Sequence, residues 1–110
     1  MFELIRRAWE WVKKFFESLL NFGRNILGWF QDPSRLKALE EDHDRLAIVV
    51  KDRLDNGNYN TIKCLFNRRT NKIEGTHNAS NKNAEGIESE DLDSETKKHF
   101  GNKEMLVLEK

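Results

Sequence analysis

Three histidines, His43, His77 and His99, and a single cysteine, Cys64, are the side chains best suited to metal binding or nucleophilic catalysis in this sequence. The histidines fall in three separate segments and lack metal-ligand spacing. His43 stands between Asp42 and Asp44, after Glu40 and Glu41. Neighbouring helical residues project in different directions, so this cluster reads as the solvated acidic end of a helix. Cys64 alternates with Ile62 and Phe66 in an apolar run. A small buried hydrophobe is expected there, because a reactive thiolate needs an accessible, electropositive setting.

The acidic stretch Glu88, Glu90, Asp91, Asp93 and Glu95 overlaps a helix start, where carboxylates complement the helix dipole. It lacks the fixed alternate ligands and central glycine of a calcium loop. Asn78-Ala79-Ser80 has the form of a glycosylation site, with no secretory signal expected before it. No glycine-rich phosphate loop or nucleophile elbow is present. These residues predict a non-enzymatic protein without metal or cofactor.

Binding is the remaining class, and composition narrows it. Lysine and arginine total 19, matched by 19 aspartates and glutamates, so no basic excess exists to hold a nucleic-acid backbone. No nucleic-acid partner is expected. The lone cysteine fits a reducing compartment, and a cytoplasmic protein, in part peripheral to a membrane, is expected. Eight of the eleven aromatic residues lie in residues 1–31. So much aromatic surface in one segment either forms core or is offered to a partner.

In that segment Phe2, Ile5, Trp9, Val12, Phe16, Leu19, Gly23, Ile26 and Phe30 recur at alternating spacings of three and four. This periodicity predicts one long amphipathic helix over residues 1–31, its apolar sector widened by Phe15 and Trp29. Glu3 precedes Arg7, and Glu10 precedes Lys14, by four residues, as expected on a solvated face. Recurrent charges exclude a transmembrane helix and a signal peptide in this reading. The expected mechanism is attachment to, or perturbation of, a membrane surface. The apolar residues would enter the headgroup region while Arg6, Arg7, Lys13 and Lys14 meet lipid phosphates. The alternative is a soluble interaction module whose aromatic face packs in a homo-oligomeric bundle or a partner's groove. A homo-oligomer is expected, which on a membrane could line a pore.

Asp32 as N-cap and Pro33 as first helical residue predict a short connecting helix over 32–44. The remaining module, 45–110, is expected to hold strands at about 46–53, 59–67, 72–76 and 104–109. A helix is expected at about 90–100, capped by Ser89, and residues 77–86 read as a mobile loop. Asn56-Gly57 predicts a two-residue hairpin turn that sets Val50 opposite Lys63 and Val49 opposite Cys64. Both faces of that hairpin are apolar and need covering. The expected class is therefore α+β: a long N-terminal helix and a short second helix, then a small antiparallel meander with one C-terminal helix and a final strand.

Overall fold

A computed structural model describes residues 2–108. Met1, at the start of the expected first helix, and Glu109, at the end of the expected last strand, lie outside the described residues. The chain begins with α1 (Phe2–Arg7) and a 3-10 turn (Ala8–Glu10), then enters β1 (Lys13–Leu20). A π-helical turn (Phe22–Leu27) runs into α2 (Gly28–Phe30), followed by α3 (Pro33–Glu41), β2 (Arg45–Arg53), β3 (Tyr59–Asn67) and β4 (Lys72–Ile73). β5 (Ala84–Leu92), α4 (Ser94–Phe100) and β6 (Met105–Leu108) complete it.

The fold is α+β, but the long helix is absent: its place is taken by short helical pieces on either side of a strand. The hairpin explains why. Ala47, Val49 and Leu65 face one core, whereas Ile48, Val50, Ile62, Cys64 and Phe66 face another, on the opposite side of the sheet. One continuous helix could cover only one of these faces. Broken at β1, the segment covers both. Ile5, Ala8 and Val12 keep their helical spacing against the second face, and Phe22, Ile26 and Phe30 keep theirs against the first. Asn21 enables the second break: its extended backbone leaves β1, and its side chain accepts from the Arg24 amide at 2.7 Å.

The sheet is mixed rather than an antiparallel meander. Its order is β1-β5-β3-β2-β6, with β4 on β3, and β1 runs parallel to β5. β5 occupies residues expected to be loop and helix start, because it supplies the strand between β1 and β3. Ser89 is therefore a fully buried strand residue opposite Tyr59, and Asp93 caps the shorter α4 instead. Asp93 also accepts from the Phe22 amide at 3.0 Å, while its own amide donates to the Leu20 carbonyl at 2.9 Å. Burial would raise its pKa, but the bonds from Thr96 and Phe22 hold the carboxyl below its ordinary value. The strand expected at 72–76 shrinks to Lys72–Ile73, with Ile73 buried.

The hairpin register is one residue from expectation: Val49 faces Lys63 and Ile48 faces Cys64. The turn holds three residues, Asp55-Asn56-Gly57, not two. The Gly57 amide donates to Leu54 at 2.9 Å, Gly57 adopts φ +89°, and the Leu54 amide donates to Asn58 at 2.8 Å. A turn closed by a left-handed glycine inserts one residue and slips the ladder by one.

Candidate functional site

The expected binding residues do not share a face. Ile5, Val12, Ile26 and Phe30 are buried, and Phe2, Trp9 and Trp29 pack partly buried against the two cores. Phe15, Phe16 and Leu19 remain exposed, at 43%, 58% and 47%, all on β1. The basic group also divides. Arg6 is engaged with Asp52 and Glu3, bonds that raise its pKa, while Arg7, Lys13 and Lys14 are exposed. Lys13 Nζ lies 5.1 Å from the Phe15 ring centre and Lys14 Nζ 5.3 Å from that of Trp9.

β1 is the outermost strand of the sheet and pairs only with β5 among the described residues. In a strand paired on one side, alternate N–H and C=O groups face outward without a ladder partner. The opposite edge, β6, has four residues against eight in β1. β1 carries no proline and no positive-φ residue, so nothing in its backbone blunts the edge.

A cleft of about 600 Å³ lies alongside this edge, walled by Phe15, Phe16, Trp29, Arg35, Lys63 and Glu85 among others. Lys63 sits at its base with a side chain only 4% exposed. Its ammonium pairs with Glu85 at 2.9 Å, donates to the Asn25 carbonyl at 2.5 Å and lies 5.2 Å from the Trp29 ring centre. Burial pulls its pKa below 10.5, a shift that Glu85 counters. The Arg35 guanidinium stacks 4.0 Å from the Trp29 ring centre, donates to the Trp29 and Lys82 carbonyls, and is also lowered by burial. Trp29 Nε1 is buried and has no acceptor among the described residues. The cations of the wall each have an internal carboxylate: Lys63 with Glu85, Arg24 with Glu17, and Arg35 with Asp32.

Sequence reasoning missed Lys63, Glu85 and Arg35. The signal was a lysine within the apolar run 62–66, since a charge there must carry its partner into the sheet. Glu85 and Arg35 have no such local mark.

The three histidines lie apart from one another. His77 stacks on Trp11 with ring centres 4.7 Å apart, His99 packs edge-on to Phe22, and His43 is exposed. No group of three or more metal-ligating side chains occurs among the described residues. Cys64 is fully buried, and burial pushes its thiol pKa up, which disfavours the thiolate. No helix among the described residues is long and apolar enough to cross a membrane. Compared with known proteins, the chain matches no family model, no curated protein and no solved structure.

Proposed function

We propose that this protein is a non-enzymatic interaction module of the cytoplasm that recruits an extended polypeptide segment onto the free edge of β1. The carrying observation is the eight-residue outer strand with Phe15, Phe16 and Leu19 exposed along it. An added strand would satisfy the outward backbone groups, and its alternate side chains would lie along the neighbouring cleft. Backbone bonds then supply affinity and the cleft supplies selectivity. The aromatic wall favours apolar side chains at those positions, because the wall cations are already matched by carboxylates.

The test is selection from a displayed library of random short peptides, followed by hydrogen exchange with a selected peptide bound. Slowed exchange confined to the amides of 13–20, lost in Phe16→Lys, supports strand addition. Protection elsewhere, or fast exchange of 13–20 both with and without peptide, overturns it. Flotation of the parent with phosphatidylserine vesicles, abolished by Phe16→Lys while no peptide protects β1, moves the assignment to a lipid surface.

A further inference from the structure

Resting on the edge-strand reading, we infer that the added segment is β1 of a second copy, paired antiparallel with Phe15 on the two-fold axis. A two-fold axis through an antiparallel pair runs perpendicular to the sheet, so one residue must face its own counterpart. The sequence Lys13-Lys14-Phe15-Phe16-Glu17-Ser18-Leu19-Leu20 leaves few choices for that residue. Lys13, Lys14 or Glu17 on the axis sets like charges face to face, which is unfavourable. Phe16 on the axis sets Lys13 opposite Leu19 and Glu17 opposite Phe15. Ser18, Leu19 or Leu20 on the axis removes both lysines from the pairing.

With Phe15 on the axis, Lys13 faces Glu17 twice, Lys14 faces Phe16 twice, and the two Phe15 rings meet. Opposite charges, cation on ring, and ring on ring are all favourable cross-strand pairs. The groups required are accessible. Lys13 and Lys14 are exposed and make no ion pair among the described residues. Among the described residues the one ion pair of Glu17 is a solvent-accessible contact with Arg24, at 3.6 Å, which leaves its carboxylate able to accept a second cation. The same pairing buries exposed Phe15 and Phe16, and the sheet runs unbroken from one copy into the next.

The experiment uses the full chain with Cys64→Ala, so that any thiol is an introduced one. Light scattering after size exclusion should give twice the 13.0 kDa chain mass. Under mild oxidation Phe15→Cys should cross-link copies, because directly opposed residues lie within disulfide reach. Phe16→Cys should not cross-link, since its counterpart is displaced along the strand. Lys13→Glu should weaken association by roughly tenfold or more. The exchange Lys13→Glu with Glu17→Lys should restore it, a rescue that a folding defect would not give. A dimer that cross-links at Phe16 and not at Phe15 overturns the inferred pairing. A monomer whose β1 amides are protected by a selected peptide overturns the second copy and leaves strand addition standing. A monomer that no peptide protects sinks both.

Discussion

Lys63 is the residue on which burial and charge conflict most sharply. Its neighbours in β3 are apolar, yet its ammonium lies beneath the π-helical turn. Taking a charge out of water is tolerable only when a counter-ion and hydrogen-bond acceptors go with it, here Glu85 and the Asn25 carbonyl. Glu85→Gln leaves the ammonium without its counter-charge. The expected loss is roughly 2 to 3 kcal/mol in urea unfolding, below the fully buried case because Glu85 is partly exposed. Replacing both partners, Lys63→Met with Glu85→Leu, should cost far less. Equal losses in the two variants would show that the pair is not acting as a unit. The pH sign follows from the lowered pKa: the unfolded chain holds this proton more tightly than the folded one. Stability should therefore rise with pH as it climbs from the folded pKa toward 10.5, and Lys63→Met should remove that rise.

At the scale of elements, the contact of the 3-10 turn with β5 depends on one missing side chain. A Cβ on Gly86 would lie 2.7 Å from Trp9 Cζ3 and 3.1 Å from Val12 Cγ2. The glycine therefore lets the indole lie directly on the strand. Gly86→Ala should destabilise by about 1 to 3 kcal/mol through overpacking. In a Trp9→Leu background the same change should cost less than about 1 kcal/mol, because the clashing ring is gone. Thermal unfolding of the four proteins of this cycle measures the coupling. Strict additivity would place the indole elsewhere. Gly23, the gap in the expected apolar stripe, has no such role: among the described residues a Cβ there meets Asn21 Oδ1 alone, at an ordinary 3.6 Å.

Across the whole molecule, the first 31 residues are shared between the two cores. Ile5, Ala8 and Val12 belong to one, and Leu20, Phe22, Ile26 and Phe30 to the other. A fragment starting at Asp32 loses these side chains and the strand that pairs with β5. Fully burying one large apolar side chain contributes about 1.5 to 3 kcal/mol, and a small domain has about 5 to 15 kcal/mol in total. The fragment should therefore show no cooperative melt and no near-ultraviolet circular dichroism. A cooperative, strand-rich fragment would instead show that the N-terminal segment is an appendage.

The α+β class, the cap at Asp32 with Pro33 after it, the glycine turn at Gly57 and the burial of Cys64 were legible in the sequence. Each rests on short-range chemistry: a side-chain oxygen on a nearby amide, a fixed φ, a positive φ, an apolar run. So was the concentration of aromatic residues in the first 31, and the need to cover both faces of the hairpin. Tertiary structure decided how that need is met. A helical spacing is real within 5–12, as Ile5, Ala8 and Val12, and within 22–30, where Phe22, Ile26 and Phe30 recur every fourth residue, but it reads equally well across a break, because periodicity carries no information about where a chain turns. In β1, local helical preference yields to pairing with β5, a segment more than 60 residues away whose own sequence shows little strand pattern. The free aromatic edge and the buried Lys63–Glu85 pair follow from that long-range pairing, since only the assembled sheet determines which strand is outermost and which charge is enclosed.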